Sequence, residues 1–238
     1  HADNNTFERN SAYNNSVAGF IIAGCQGNNL TANLAYDNYQ DGFYLTNSSM
    51  FNKLVNNTAR GNPQNGFHLY NSTSNLLADN SAYSNSDGFF LSYATDNNLT
   101  NNSAYSQDYG FYIGAGSDRT LIQASLAHNN TQDGIYVTLT NGTMIAFSRA
   151  YDNSVGIYLN YANSTSFIGN NITNNTMSGI LIGPGSSMNS LNSNRVCFND
   201  RMDINDSGTT DSGALDRCDY SSNWTEFGHT GCTFTCSE

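Results

Sequence analysis

Two aspartates of this chain, Asp41 and Asp87, stand in equivalent positions, each directly before a glycine. Asn65 precedes another such glycine midway between them. If the surrounding segments stack as parallel strands, the two carboxyl groups lie two strand spacings apart, or roughly 9.6 Å. That separation suits the acid and base of an inverting glycosidase, or a calcium-assisted lyase with Asn65 between them. An aspartate before a glycine is also typical of a tight turn, and the turn is the favoured interpretation.

Asp203, Asn205 and Ser207 have the alternating spacing of ligands in the first half of a calcium-binding loop. The twelfth position of such a loop is Ala214, where a bidentate glutamate would be needed. A solvated acidic loop is the alternative. The sequence leaves a calcium site at these three residues open.

The first residue, His1, offers an amine and an imidazole that together could hold copper. A second histidine would be needed, and nothing in the spacing of His68, His128 and His229 brings one to His1. Copper is therefore not expected, and calcium is the one cofactor left open.

Four of the five cysteines, Cys197, Cys218, Cys232 and Cys236, lie in the last fifth of the chain. They predict two disulfides in a secreted C-terminal cap, with three possible pairings. A zinc site is the competing interpretation, but paired Cys-x-x-Cys steps are missing. Cys25 is left alone, either as a buried free thiol or as a bridge to another chain.

The 39 asparagines fall into two classes. Twenty-one occupy three regularly spaced columns, and none of these is in Asn-X-Ser/Thr; fifteen of the other 18 are. The fifteen are Asn4, Asn14, Asn29, Asn47, Asn56, Asn71, Asn98, Asn101, Asn129, Asn141, Asn163, Asn171, Asn174, Asn205 and Asn223. Because Asn-X-Ser/Thr is the acceptor of N-linked glycans, the sequence predicts a secreted and heavily glycosylated protein.

These residues are positioned by a repeat of 22 to 24 residues. Its marker is a glycine followed at the first and third positions by large apolar residues, as in Gly66, Phe67 and Leu69. The glycines are Gly19, Gly42, Gly66, Gly88, Gly110, Gly134, Gly156 and Gly179. The alternation is that of a short strand, and a fixed period of this length predicts a solenoid.

Three polar columns keep the same period. They are Asn5, Asn28, Asn52, Asn75, Asn97, Thr120, Thr143, Thr165 and Asn189; Asn10, Asn33, Asn57, Asn80, Asn102, Ser125, Ser148, Asn170 and Asn194; and Asn15, Asn38, Asn62, Asn85, Gln107, Asn130, Asn153, Asn175 and Asn199. At the strand spacing of ~4.8 Å, stacked amides hydrogen-bond to the coils above and below and form ladders. Each repeat therefore contributes three short parallel strands and three polar turns around apolar columns.

This pattern resembles the right-handed parallel β-helix repeat proteins, the superfamily that contains the pectate lyases. The resemblance covers residues 5–204 and implies an all-β solenoid of about eight coils. We divide the chain into repeats at 1–204 and a cysteine-rich cap at 205–238, with Cys197 contributed by the last coil. The ending, with Trp224, looks like the terminal module of archaeal β-helix surface proteins. The fold carries lyases, hydrolases, adhesins and structural proteins, so it does not decide the function.

Composition excludes some classes of partner. Only 11% of the residues are charged, the net charge is −11, and Lys53 is the sole lysine. Nucleic acid is not expected, because its phosphates need basic residues. No apolar run is long enough for a transmembrane helix. The chain starts at His1 and not at Met, so we expect a processed segment, located outside the cell or on its surface.

Two columns of aromatic residues are predicted to face outward. The column two residues after each glycine contains the candidates for an interface: Tyr44, Phe90, Tyr112, Tyr136 and Tyr158. The other column is Tyr13, Tyr36, Arg60, Tyr83, Tyr105, His128 and Tyr151. Such rings either stack on one another between strands or form a surface that binds protein or sugar, and the sequence leaves both open.

Few residues precede Asn5 to cap the first coil. An open end exposes strand edges, so we expect a removed preceding domain or docking to another copy. The leading hypothesis is a non-catalytic, glycosylated extracellular protein that assembles with itself, head to tail, into a surface layer, sheath or filament. The alternatives are a polysaccharide-acting enzyme, either a lyase or a glycoside hydrolase, and an adhesin that binds cell-surface glycans.

Overall fold

The computed structural model describes residues 2–237, in which every regular element is a β-strand. The strands form three parallel sheets of ten, nine and ten strands and one antiparallel hairpin. Within each sheet a strand pairs with the strands one coil before and one coil after it, as Leu77 does with Leu54 and Leu99. The chain is the parallel β-helix that the repeat predicted, slightly longer than the eight glycine-marked repeats.

The bounds of the strands follow the columns. The first sheet contains Thr6–Glu8, Asn29–Thr31, Lys53–Val55, Leu76–Ala78, Asn98–Thr100, Leu121–Gln123, Met144–Ala146, Ser166–Ile168, Ser190–Asn192 and Ser212–Ala214. The second contains Ser11–Tyr13, Leu34–Tyr36, Thr58–Arg60, Ser81–Tyr83, Ser103–Tyr105, Leu126–His128, Arg149–Tyr151, Asn171–Thr173 and Arg195–Cys197. The third contains Phe20–Ala23, Phe43–Thr46, Asn65–Tyr70, Asp87–Ser92, Tyr109–Ile113, Asp133–Thr138, Val155–Asn160, Ser178–Ile182, Met202–Asp206 and Ser221–Ser222. The hairpin is Thr225–Glu226 with His229–Thr230.

The predicted amide ladders run along the three corners of the coil. In one of them Asn33 Nδ2 donates to Asn57 Oδ1 at 3.0 Å, and Asn57 Nδ2 donates in turn to Asn80 Oδ1 at 3.1 Å. Asn57 Nδ2 also reaches the carbonyl of Leu30 at 2.8 Å. Of the 21 ladder asparagines 18 are buried, and the three exposed ones lie in the first coil. The ladders therefore satisfy polar groups that the tight corners would otherwise bury without partners.

The repeated glycine is required because successive coils approach closely where the third-sheet strands begin. A Cβ added at Gly66 would lie 2.8 Å from the carbonyl oxygen of Gly88 and 3.0 Å from Nδ2 of Asn85. Next to this column the buried phenylalanines from Phe43 to Phe111 stack with centroids 4.8 Å apart. A side chain at the glycine would push the coils apart, so the marker of the repeat is a packing requirement.

All three ladders end on a carboxylate at the C-terminal end of the coil. The closing pairs are Asn189 with Asp211, Asn194 with Asp216, and Asn199 with Asp203. In each pair the backbone N–H and the Nδ2 of the asparagine donate to one carboxylate oxygen. The carboxyl oxygen accepts the last donors that point toward this end of the coil, and this contact closes the ladder.

Two disulfides hold the cap. They join Cys197 to Cys236 and Cys218 to Cys232, across 39 and 14 residues of sequence. This confirms the predicted set of four cysteines and selects one of the three pairings. Cys197 lies on the last strand of the second sheet, so its bridge ties the end of the chain to the coil. In the chain-entropy model each bridge stabilises the folded state by roughly 3 kcal/mol.

Parallel pairing continues beyond residue 204. Ser212–Ala214 extends the first sheet and Ser221–Ser222 extends the third. Trp224 is buried in the apolar core. Part of the segment 205–238 is thus built on the sheets of the coil, while the division of the chain at residue 204 stays a prediction.

The ladders make a prediction about stability. Asn57→Ala should lower the free energy of unfolding by about 3 kcal/mol or more, because it leaves the Leu30 carbonyl and two Asn33 donors unpaired inside the protein. Urea unfolding followed by circular dichroism measures the loss.

The matched control for this variant is Asn29→Ala. Asn29 is half-buried on a strand, and its side chain accepts a hydrogen bond from the Thr31 hydroxyl of the same strand. Its replacement should cost less than about 1 kcal/mol. Equal losses in the two variants would contradict the stabilising role of the ladder.

Candidate functional site

The two aromatic columns lie on different sheets. We call the outer surface of the third sheet, together with the residues before its glycines, the third-sheet face. Its outward column is Tyr44, His68, Phe90, Tyr112, Tyr136 and Tyr158, and its residues before the glycines include Asp41, Asn65, Asp87, Tyr109 and Asp133. The other aromatic column lies on the second sheet.

On the second sheet the rings lie face to face. Tyr83 and Tyr105 are 5.0 Å apart with an angle of 11° between their planes. His128 and Tyr151 continue the stack at the same spacing, with angles of 10° and 8°. Because each ring covers the face of the next, the rings of this column contact one another and stabilise the second sheet.

On the third sheet the rings from His68 to Tyr136 are crossed, whereas Tyr44 and His68 are stacked. The planes of His68 and Phe90 meet at 70°, those of Phe90 and Tyr112 at 54°, and those of Tyr112 and Tyr136 at 80°. Tyr109 stands edge-on to Tyr112, 5.3 Å away. Edge-to-face rings overlap less than stacked rings do, and Phe90, Tyr112 and Tyr136 are only half-buried, so the column can contact a ligand.

Asp41 is almost completely buried and holds two residues of the next coil. Its Oδ1 accepts the backbone N–H of Asn65 at 3.0 Å and the Nδ2 of Asn65 at 2.8 Å. Its Oδ2 lies 3.2 Å from Nδ1 of His68. Since a carboxylate only accepts, Nδ1 carries the proton and Nε2 is the nitrogen left to accept. Asp41 therefore orients the imidazole ring of His68 within the outward column.

Asp87 and Asp133 each begin a third-sheet strand, so the structure places neither in a tight turn. Burial raises the pKa of Asp87 to about 6, although the N–H of Tyr109 acts in the opposite direction. Burial likewise raises the pKa of Asp133 to about 7, against the N–H of Val155. Both carboxyl groups are therefore partly protonated near neutral pH and can donate as well as accept hydrogen bonds.

Tyr109 lies between these two carboxyl groups in the column before the glycines. Its hydroxyl donates to Gln132 Oε1 at 2.7 Å. Burial, with Asp133 nearby, raises the pKa of Tyr109 to about 12, and burial also raises the pKa of Tyr112. The two phenols therefore stay protonated and act as hydrogen-bonding groups.

The structure divides the residues that the sequence grouped together. Asn65 donates two hydrogen bonds to Asp41, whereas its strand pairs in register with that of Asp87 one coil further on. The sequence did not select His68 or Asp133 as catalytic candidates. The feature of the sequence that pointed to this face is the run of polar residues directly before the glycines of consecutive coils.

The predicted calcium ligand Asp203 is fully engaged. Its Oδ1 accepts two donors from Asn199, and its Oδ2 accepts the N–H groups of Asp219 and Tyr220. A carboxylate has about four lone-pair positions, so none is left for a cation. Among residues 2–237 no group of three or more His, Cys, Asp or Glu residues is placed to hold a metal. Calcium at this position would have to break the closure of the ladder.

The fifteen predicted glycan acceptors are all exposed or half-buried. Six of them have the form Asn-Asn-Ser/Thr, and in these the first residue has a left-handed backbone while the second belongs to a ladder. Asn101 is an example, with φ 56° before the ladder residue Asn102. Asparagine tolerates this backbone better than most residues, so corner geometry alone generates part of the pattern. Modification of these asparagines stays a prediction.

Cys25 is half-buried and forms no disulfide within residues 2–237. Its Sγ accepts the N–H of Ala2 at 3.3 Å and lies 3.1 Å from the carbonyl oxygen of Ala23. The thiol is therefore neither deeply buried nor bridged inside the chain.

Two protein families each match more than half of the chain. The family described as right handed beta helix region matches residues 77–214, and the family described as periplasmic copper-binding protein (NosD) matches residues 1–132. The chain belongs to both families. This confirms the resemblance to right-handed parallel β-helix proteins. No curated protein sequence matches the chain significantly.

Several solved structures share the fold. The periplasmic alginate epimerase AlgG, in a mutant form, has a TM-score of 0.70 at 14% identity, over 90% of this chain and 59% of the epimerase. The A-module of the Azotobacter vinelandii mannuronan C-5 epimerase AlgE4 has 0.60 at 13% identity, over 97% and 78%. Pectate lyase Pel9A has 0.55 at 17% identity, over 67% and 49%. The chain thus spans less than two thirds of AlgG, and these likenesses show the fold alone.

The described residues do not fit a copper centre, although one family is named for copper. Copper prefers thiolate, thioether and imidazole ligands placed close together. His128 is stacked between Tyr105 and Tyr151, and His68 lies on another sheet beside Asp41. Four of the cysteines form the two disulfides, so their sulfur atoms are not thiolate ligands. His1, considered above for copper, lies outside residues 2–237.

Disulfides and the periplasmic family indicate an extracytoplasmic protein, because thiols stay reduced in the cytosol. Residues 2–237 contain no helix capable of crossing a membrane.

The raised pKa values predict that stability falls as pH rises. Burial holds the pKa of Asp87 and Asp211 at about 6, of Asp133 at about 7 and of Asp216, beside Glu226, at about 8. The unfolded pKa of an aspartate is about 3.9, so the folded protein binds more protons between that value and about 8. The stabilisation that these protonated carboxyl groups contribute to the folded state is complete below about pH 4 and is lost as pH rises through 6 to 8.

Thermal unfolding midpoints measured across this pH range should therefore decline, and Asp133→Asn should flatten the decline below about pH 7. Midpoints that rise with pH would contradict the assignment.

Proposed function

We propose that the protein is an extracytoplasmic polysaccharide-binding protein that holds an extended sugar chain along the third-sheet face, outside the cell or on its surface. The observation that carries this proposal is the crossed arrangement of Phe90, Tyr112 and Tyr136. The face of an aromatic ring carries partial negative charge and attracts the C–H groups of a sugar ring. Successive coils offer one ring every ~4.8 Å, a spacing comparable with one sugar residue of an extended chain.

Polar groups for sugar hydroxyls lie beside these rings. The Nδ2 of Asn160 donates to the hydroxyl of Tyr136 at 2.8 Å, and the hydroxyl of Tyr109 is engaged by Gln132. Asp87 and Asp133 add carboxyl groups that both donate and accept. A few polar groups around an aromatic surface are typical of sites that orient a ligand.

The related structures support the class of ligand. By their names, AlgG and AlgE4 are epimerases of alginate and mannuronan, and Pel9A is a pectate lyase. All three names refer to polysaccharides. The likeness is one of fold, so the choice of the third-sheet face is based on the side chains of this chain.

A pair of matched variants tests the binding face. Tyr112→Ala should weaken binding to the polysaccharide that the protein prefers by about tenfold or more, because it removes a half-buried ring from the middle of the proposed binding face. Tyr105→Ala removes a ring of the second-sheet stack and should leave binding within about twofold. Affinity electrophoresis against a panel of neutral and acidic polysaccharides, followed by calorimetry, measures both. Equal effects of the two substitutions, or no binding to any polymer, would reject the proposal.

Catalysis on the bound chain is the second candidate, and the Asp41–His68 pair favours it. His68 is oriented by a buried carboxylate, and Asp87 supplies a carboxyl group with a pKa of about 6 on the same face. An imidazole base and a carboxylic acid suit either hydrolysis or elimination. Release of reducing ends or of unsaturated sugars, lost in His68→Gln and Asp87→Asn, would establish activity.

Self-assembly into a surface layer, sheath or filament remains a hypothesis from the sequence.

Glycosylation is also proposed and has its own measurement. Mass spectrometry of protein from its natural source should find sugar on exposed acceptors such as Asn101 and none on ladder residues such as Asn102, whose amide is buried and bonded. Unmodified asparagine at all fifteen acceptors would refute it.

A further inference from the structure

We propose that the third-sheet face selects uncharged polysaccharides and rejects uronate polymers such as alginate and polygalacturonate. The inference rests on the proposed function and names its class of ligand. It follows from the distribution of charge on the chain. The third-sheet face and its border carry Asp41, Asp87, Asp108 and Asp133, whereas the ten strands of the third sheet contain no lysine or arginine.

The basic side chains lie elsewhere and are mostly engaged. Arg119 pairs with Asp96 at 2.7 Å, and Arg60 and Arg149 lie over the rings of Tyr36 and Tyr151 on the second sheet. Lys53 belongs to the first sheet. None of these cations lies on the third-sheet face.

Arg201 is the basic residue nearest to that sheet in sequence, directly before the strand Met202–Asp206. That strand is five coils from the strand of Asp87, or roughly 24 Å at the usual strand spacing. Charges separated by more than a Debye length of ~10 Å are largely screened at ordinary ionic strength. Arg201 therefore does not neutralise the centre of the face.

A uronate polymer carries one carboxylate on every sugar. Along this face its charges meet the carboxylates of Asp87 and Asp133, and no Lys or Arg side chain of residues 2–237 lies there to pair with them. Like charges that face each other at an interface oppose binding, and they do so more strongly where water is excluded. A neutral chain uses the same rings and hydroxyls without this repulsion.

Selection should weaken in acid. Burial raises the pKa of Asp87 to about 6 and of Asp133 to about 7, so both carry protons at about pH 5. The ionisable groups around Asp87 are His68, Asp108 and Tyr109, and those near Asp133 are Tyr109 and Tyr158.

The experiment measures affinities of the whole chain for two sets of immobilised polymers by biolayer interferometry. The neutral set is hydroxyethyl cellulose, xylan, galactomannan and β-1,3-glucan, and the acidic set is alginate and polygalacturonate. At about pH 8 the best neutral polymer should bind at least about tenfold more tightly than either acidic polymer, and the ratio should shrink at about pH 5. The acidic set is also measured with calcium, since a bridging cation could link a uronate to these carboxylates.

Charge variants test whether the carboxyl groups of the third-sheet face cause the preference for neutral polymers. The double variant Asp87→Asn with Asp133→Asn should reduce the ratio at pH 8 severalfold, since an asparagine Oδ1 can still accept the N–H that each carboxylate accepts. Asp79→Asn, at an exposed corner between the first and second sheets, should leave the ratio unchanged.

Three results would overturn the inference. Uronates that bind wild type as tightly as neutral polymers at pH 8, with or without calcium, would refute the selection while leaving polysaccharide binding intact. An unchanged ratio in the double variant would show that these carboxylates are not its cause. Binding to no polymer would reject the proposed function together with its ligand class.

Discussion

Most inward asparagines at the corners of the coil donate to the corner of the next coil, and the rest of the molecule depends on this directional hydrogen bonding. A corner amide such as Asn57 bonds to the residues one coil before and one coil after it and to a backbone carbonyl. The coils can come this close because glycines such as Gly66 leave room for the carbonyl oxygen of the coil beyond. A repeated polar contact of this kind specifies the register of every strand, since a slip by one residue would leave each amide in the ladder unpaired.

The direction of the ladders gives the coil two different ends. The donors that link one ladder asparagine to the next point toward the C-terminus, so each ladder must end on an acceptor. Asp203, Asp211 and Asp216 each supply one carboxyl oxygen as that acceptor. The disulfides then hold the closed end against the last coil. Asp203, which the sequence analysis considered as a calcium ligand, closes one of these ladders.

The ladders and the apolar core that hold the coil together lie inside it, so the residues on its outer faces can differ from coil to coil. The second and third sheets have the same strand spacing and both carry aromatic columns, but their rings differ in arrangement. On the second sheet the rings are nearly parallel and stack face to face. On the third sheet Tyr109 stands edge-on beside the column, and the rings are crossed. Asp87 and Asp133 are partly buried on this face, and burial raises their pKa values. The chemistry of the third-sheet face therefore comes from residues that depart from the repeat.

The sequence by itself determined the parallel coil, the ladder residues, the close-packing glycines and the cysteines of the cap, because a fixed period becomes a set of contacts once coils stack. The closing residues Asp211 and Asp216 could also have been found, since each follows its column by one further period of 22 residues. The tertiary structure alone decided the disulfide pairing, the partner of Asn65 and the tilt of each ring. These features depend on how unlike side chains share space between neighbouring coils. A repeat fixes which residues are neighbours, but the orientation of a side chain is set by the volume, charge and hydrogen bonds of every group around it.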